Sequence, residues 1–293
     1  MKTIFFKFLI KIGIFNIFRR VFQKDRLTVL FYHSPKSCLF NEHIKLFKRY
    51  YNLIQREDLL SAIREKDNSV LPPYSIYITF DDGHVSNKEL FKVLKNEDVD
   101  AEIFVCPGLI DTKRAFWFKK FHGKEKNMLK SGIWKNSEYH MFSKGFDYKK
   151  DYDQLSSLTL KQIKEAPLNV NFSGHSMFHP MLTGIDKERL NKEIKDCYDY
   201  LKNNVNQESY FFAYPDGRFD SKVRRIVKKN GFEAAFSTKY GFIDMTKDDV
   251  FSLKRIGIYD DASSEKALLQ ACGLWSVLES LFKWLKRLFT SFR

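Results

Sequence analysis

Little in this 293-residue chain points to covalent cross-linking, repetition or passage through a membrane. Its four cysteines, Cys38, Cys106, Cys197 and Cys272, lie far apart and form no C-x-x-C pair, which argues against a disulfide framework and a thiolate zinc site. Reduced thiols in turn point to a cytosolic environment. No internal repeat or low-complexity linker divides the chain, and nowhere does an uncharged apolar run reach the roughly 20 residues a spanning helix needs. Lys7 and Lys11 interrupt the apolar stretch from Met1 to Gln23, and no small-x-small cleavage site follows it, so a cleaved export leader is not expected. Excess charge is also missing from the middle of the chain. Fifty basic and 36 acidic side chains leave +14, yet residues 1–30 hold seven basic groups against Asp25, and residues 266–293 hold five against Glu279. Ten of the fourteen surplus charges therefore sit at the two ends, and so balanced a centre gives no basic face for nucleic acid.

The chain does contain enough apolar material, 44% of its residues, to exclude a disordered or collagenous protein. Its length suits one large domain or two small ones. Leu27 to His33 reads as a buried strand feeding a loop at Pro35, and Glu42 to Arg64 as a helix with breaks. Tyr74 to Phe80 reads as a strand stopped by Asp81-Asp82-Gly83. A helix through Lys95 and a strand from Ala101 to Cys106 follow. The rhythm returns with strands around Val170, Phe211 and Ala234 and helices near 186–203 and 220–230. Such alternation predicts an α/β fold with a mostly parallel sheet, open or closed, and functional groups at the C-terminal ends of its strands. Residues 107–165, aromatic and rich in lysine, read as an insertion able to cover a site. Phe116-Trp117-Phe118 within it suits either sugar stacking or a packed core.

Both ends are apolar as well as basic. Leu274, Leu278, Leu281, Leu285, Leu288 and Phe292 recur at spacings of four and three, widened by Trp275, Phe282, Trp284 and Phe289. Ser276, Glu279, Lys283, Lys286 and Arg287 fall on the opposite arc. The pattern predicts a basic amphipathic helix lying in a membrane interface, although it also suits a helix packed on the domain. The N-terminal stretch reads as a second interfacial element, bent or broken near Gly13. The expected organisation is a basic segment over 1–26, a catalytic domain over 27–262 and a basic helix over 263–293, with peripheral attachment at the cytoplasmic face of a membrane.

The chemistry-bearing residues stand at predicted strand ends. Asp81 and Asp82 follow an apolar strand directly, and two adjacent carboxylates on an extended backbone point in different directions, so one can serve a metal and the other a substrate. His175 and His179 stand four apart, on one face if that stretch is helical, a spacing that suits two ligands of one ion. Alone, Asp-Asp-Gly is a common turn and a His pair is often structural. Together they compose a carboxylate-and-two-imidazole site that favours Zn, Co, Mn or Fe over Ca or Mg.

Thr79-Phe-Asp-Asp-Gly83 and His175-Ser-Met-Phe-His179-Pro180 resemble the first two motifs of the polysaccharide deacetylase family, the NodB-homology or carbohydrate esterase 4 family. The likeness opens at Phe31-Tyr-His-Ser34 and continues through Phe212-Ala-Tyr-Pro-Asp-Gly217, Gly231-Phe-Glu-Ala-Ala235 and Leu253-Lys-Arg-Ile256, in order over roughly residues 27–260. This resemblance implies a distorted (β/α) barrel that hydrolyses the N-acetyl group of an amino sugar. It implies Asp82, His175 and His179 as ligands of one divalent transition ion, zinc foremost, and Asp81 as the general base toward the attacking water. The backbone N–H of Asp216 would meet the oxyanion. The chain departs from the family pattern at three points. Asp216 replaces an aromatic residue, and the arginine ahead of the third motif is missing from Ser209 to Ala213, with Arg255 as its substitute. The late Leu-x-His motif is replaced by Ile256-Gly-Ile-Tyr259, which leaves His33 as the expected general acid and His84 in reserve. The expected partners are an N-acetylated glycan or lipid-linked saccharide and a membrane surface, with no nucleic acid. Removal of another N-acyl group such as formyl, or a catalytically silent glycan-binding module, are the alternatives.

Overall fold

The structure is a computed structural model that describes residues 2–131 and 134–291. Its sheet has eight short strands: β1 (Thr28–Tyr32), β2 (Asn52–Leu53), β3 (Ser75–Phe80), β4 (Ala101–Val105), β5 (Val170–Gly174), β6 (Phe212–Ala213), β7 (Ala235–Phe236) and β8 (Ile256–Gly257). They run in the order β7-β6-β5-β4-β3-β1-β8, with β2 added to β3, and every ladder is parallel. A bridge between Phe236 and Leu253 draws the two ends of this path together, so the sheet curls into a distorted barrel.

A parallel sheet is covered on both faces, which is why its strands read as nearly continuous apolar runs. All six residues of β3, Ser-Ile-Tyr-Ile-Thr-Phe, are buried. Leu30, Tyr32, Ile76, Ile78 and Phe80 pack with Phe40, Ile44 and Ile194 of the flanking helices, while Val29, Tyr77, Phe104, Phe211 and Phe236 form a separate cluster on the other face of the strands. Glu102 of β4 is fully buried, and Arg56 at 3.1 Å and the Tyr77 hydroxyl at 3.2 Å offset the cost of placing a carboxylate there.

In place of one broken helix over 42–64 the structure has helix Ser37–Phe47, strand β2 and helix Arg56–Glu65. Two residues of strand are too few to leave a periodicity in the sequence. The 107–165 segment folds into helices Trp117–Lys120, Gly123–Ser131, Trp134–Ser143 and Leu160–Lys164. Its return leg docks on the turn after β3, where the Val85 N–H donates to the Ser156 carbonyl at 3.1 Å and the Leu158 N–H to the Gly83 carbonyl at 2.9 Å. Gly83, at φ 60°, is obligatory in that turn, since a Cβ there would lie 2.6 Å from Val105 Cγ1.

At the N-terminus, helices Lys2–Lys11 and Ile14–Phe22 meet at Gly13, whose φ is 84°. At the other end stands helix Leu274–Ser291. Phe292 of the predicted stripe lies outside the described residues, as do the side chains of Phe282, Leu285, Leu288 and Phe289. Phe6 meets Trp275 edge-on at 5.6 Å, and Phe15 is buried against Tyr50 and Tyr51. The two ends of the chain thus pack on the body and on each other. No helix of the described residues is long and apolar enough to cross a membrane.

Candidate metal centre

Side chains alternate along a strand, so Asp81 continues the row of Tyr77 and Thr79. Arg255 enters the same row one residue before β8. Its guanidinium is fully buried and grips Asp81 with both nitrogens, Nη1 to Oδ1 at 2.7 Å and Nη2 to Oδ2 at 2.8 Å. Nη1 also donates to Thr79 Oγ1 at 3.1 Å and Nε to the Ser237 carbonyl at 3.0 Å. The rings of Phe31, Phe104 and Phe236 surround it at 4.7, 5.5 and 6.0 Å. Burial alone would raise the Asp81 pKa, but Arg255, helped by His175 and His33, overcompensates and holds it at about 2.

Asp82 breaks the strand alternation, because its backbone is left-handed at φ 73°. The turn carries its carboxylate to 3.6 Å from His175 Nε2 and 3.5 Å from His179 Nε2. His175 follows β5, and its Nδ1 lies 2.7 Å from the Ala213 carbonyl. That contact requires the proton on Nδ1 and leaves the Nε2 lone pair free to coordinate.

His179 arrives by a different route from the one its spacing suggests. Residues 176–178 are not helical, and both Ser176, φ 61°, and His179, φ 59°, are left-handed. The loop is held from several sides. Ser176 Oγ accepts from the His179 N–H at 3.1 Å, buried Glu193 accepts from the Phe178 N–H at 3.0 Å, and Trp117 Nε1 donates to the His179 carbonyl at 3.0 Å.

The outcome is a buried trio whose ligand atoms all lie within 4.8 Å of one another. Burial, then neighbouring His175, push the His179 pKa well below the usual histidine range, so its ring is neutral with a lone pair to give. Its Nδ1 is buried without a hydrogen-bond partner. One carboxylate and two imidazoles, with ligand atoms this close together and buried, fit a divalent transition ion. Cys106 is close by, but burial raises its pKa well above the usual thiol range, so it remains a thiol and its Sγ donates to the His175 carbonyl at 3.2 Å.

The other predicted residues flank this centre. His33 is exposed at the end of β1, its ring 5.8 Å from that of Phe31, which in turn stacks on Arg255. Asn87 Nδ2 donates to the His33 carbonyl at 2.8 Å and Asp260 accepts from its N–H at 3.1 Å. Asp216 is left-handed at φ 56°. Its carboxylate is drawn into ion pairs with Lys130 and, at 3.1 Å, with Arg218. His84 is a loop residue whose Nδ1 lies 2.8 Å from Ser86 Oγ. Phe116 and Phe118 lie on the His179 ring, with centroids at 6.1 and 4.7 Å. The sequence reading missed Lys130, Asp260, Asn87 and Glu193. No motif marks them, because each acts through a partner distant in the chain.

The sequence pattern of the polysaccharide deacetylase family matches residues 68–235, more than half of the chain. The match takes in Asp81, Asp82, His175, His179 and Asp216 and leaves out His33 and Arg255. YxkH of Bacillus subtilis, whose name carries the same family, is 24% identical over 229 residues, 74% of this chain and 66% of its own length. A poly-beta-1,6-N-acetyl-D-glucosamine N-deacetylase of Staphylococcus aureus is 23% identical over 199 residues, 67% of this chain and 59% of its own length. The chain therefore spans less than two thirds of these curated relatives. Among solved structures, the Streptococcus pyogenes deacetylase PplD, in complex with acetate, shares the fold with a TM-score of 0.61 at 21% identity, over 85% of this chain and 99% of its own.

Proposed function

The chain belongs to the polysaccharide deacetylase family, and we propose that it hydrolyses the N-acetyl group of an amino sugar in a surface polysaccharide or lipid-linked glycan. The observation that carries this reading is the adjacency of two differently equipped carboxylates, Asp82 within reach of two imidazoles and Asp81 locked by Arg255. Asp82, His175 and His179 would hold the divalent ion, zinc foremost, with cobalt, manganese or iron as substitutes. When bound, such an ion polarises the acetamide carbonyl and makes water more acidic.

Asp81 is the acceptor for the proton of the attacking water. A pKa of about 2 keeps it ionised throughout the physiological range, and the Arg255 fork fixes the plane of its oxygens. The Asp216 N–H donates to the oxyanion. Its side chain does not oppose that charge, because Lys130 and Arg218 neutralise it. His33, exposed at the mouth and anchored through its backbone by Asn87 and Asp260, supplies the proton to the departing amine.

The reading is tested by acetate release from a panel of N-acetylated free and lipid-linked oligosaccharides, with and without chelator. Chelation is expected to lower the rate by at least about 10²-fold, restored by added zinc. Formate release from N-formylated counterparts, with no acetate from the N-acetylated panel, points to the other N-acyl chemistry, and binding without any release points to a silent module.

Attachment to a membrane surface, at its cytoplasmic face, is the second part of the proposal. Ile4, Phe8, Ile17 and Val21 of the N-terminal helices and Val277, Leu281 and Trp284 of the C-terminal helix are exposed. The Phe6–Trp275 contact brings helix Lys2–Lys11 against the start of helix Leu274–Ser291. Lys11 and Arg20 add positive charge to these helices, and Lys7 and Lys283 pair with Glu265 and Glu279. Deleting the ends would open the core around Phe15 and Leu268, so substitution is the cleaner test. Serine at Phe8, Ile17, Leu281 and Trp284 together is expected to abolish sedimentation with anionic vesicles and leave hydrolysis of a soluble oligosaccharide unchanged. Undiminished sedimentation of that variant removes the membrane part.

A further inference from the structure

The 107–165 segment brings two lysines to the mouth of the site, and one of them has no part in the hydrolysis of a neutral acetamido sugar. Helix Gly123–Ser131 places Lys126 and Lys130 one turn apart on one face. Lys130 ends in its ion pair with Asp216. Lys126, a turn earlier, holds its ammonium 5.2 Å from the centroid of Phe118, whose ring lies 4.7 Å from that of His179. Lys126 thus stands between the His179 wall and the Asp216 wall of the mouth. It is half-buried, and among the described residues no carboxylate pairs with it.

Burial pushes its pKa below the ordinary lysine range. Lys130 and Lys119 push in the same direction, against the opposing pull of Asp216 and Asp82. An ammonium without a directly paired carboxylate and with an aromatic plate on one side is screened less than a fully exposed lysine, and an anionic oxygen placed against it gains correspondingly more.

We propose that Lys126 is an anion subsite, receiving a phosphate or uronate group that the substrate carries next to the amino sugar to be deacylated. The proposal rests on the deacetylase reading and narrows it to anionic glycans. Lysine suits such a subsite, since a compact point charge on a flexible stem needs no fixed donor geometry. Asp216 acts on Lys126 only at a distance, since its own ion pairs are with Lys130 and Arg218.

The test compares kcat/KM for three substrates: N-acetylglucosamine 1-phosphate, a disaccharide of N-acetylglucosamine and glucuronate, and the neutral methyl N-acetylglucosaminide. It uses metal-loaded wild type, Lys126→Gln and Lys126→Arg. At low salt, wild type is expected to favour at least one anionic substrate by about tenfold, a preference that Lys126→Gln removes, Lys126→Arg retains and about 0.5 M salt weakens. Rates on the neutral substrate and metal content stay unchanged in both variants. Which anionic substrate is favoured distinguishes phosphate from uronate. Absence of any anionic preference in wild type, or a Gln variant that slows all three substrates alike, overturns the proposal. If none of the three releases acetate, the oligosaccharide panel alone decides the deacetylase reading. Equilibrium titration of the same compounds onto wild type and Lys126→Gln then decides the subsite, with equal affinities overturning it and a tenfold loss for the anionic compounds upholding it.

Discussion

Asparagine at position 81 is expected to lower acetate release by about 10²- to 10⁴-fold, the range a positioned general base contributes, while the protein still takes up one equivalent of metal. The substitution keeps the shape of the side chain and removes only its charge and basicity. Asp82, His175 and His179 are untouched, so metal uptake separates loss of the base from loss of the centre. The cost falls partly on Arg255, whose fully buried guanidinium then has no carboxylate to answer it. Circular dichroism and metal titration on the same sample show whether the fold and ligand trio survive. Turnover near the wild-type rate with metal bound excludes Asp81 as the base.

Methionine at position 255 is expected to act in the opposite sense on the same pair. With the guanidinium gone, burial becomes the dominant influence on Asp81 and its pKa climbs from about 2. The uncompensated carboxylate costs about 3–5 kcal/mol of stability. In wild type the depressed Asp81 pKa contributes about 2 kcal/mol of stability that is complete above the unfolded value of 3.8 and is lost as pH falls through the folded value near 2. In chemical denaturation between pH 2 and 7, the Asp81 contribution of wild type therefore declines only at the acid end, beside the loss expected below pH 6.5 from the neutral, buried His179. In Arg255→Met stability is lower at neutral pH and rises as pH falls and the buried carboxyl takes up its proton. The acid limb of kcat/KM moves upward in the same variant. Lysine at 255 restores part of the stability, since a point charge neutralises Asp81 without matching both of its oxygens. An Arg255→Met protein with the wild-type pH profile and stability would show that the pair is incidental to catalysis and folding alike.

Legibility followed the range over which each feature is encoded. Strands β1, β3, β4 and β5 are five or six residues long and buried, and their apolar runs announce them. β2 and β8, at two residues, leave no periodicity, whereas β6 and β7, equally short, are marked by the apolar runs around Phe211 and Ala234. Asp81 and Asp82 were readable as a pair with divided roles because a strand end and a glycine turn are local events. The same is only half true of His175 and His179. Their spacing signalled a shared ion, but the helix it implied does not exist, and two left-handed residues do the aiming instead. Arg255 carries no local signal beyond the absence of an arginine from Ser209 to Ala213, and nothing in the sequence pairs Lys130 with Asp216.

By itself the sequence determined the alternation of strand and helix, the strand ends that carry carboxylate and imidazole, and the identity of the groups able to hold a metal. These follow from side-chain period and residue chemistry, which act over a few neighbouring positions. Only the tertiary structure decided which charges answer one another. Curling the sheet sets Arg255 against Asp81 across 174 residues, and folding the 107–165 segment back over the mouth sets Lys130 against Asp216 across 86. Coulombic attraction depends on distance in space, and nothing in the local spacing of a chain reports that distance.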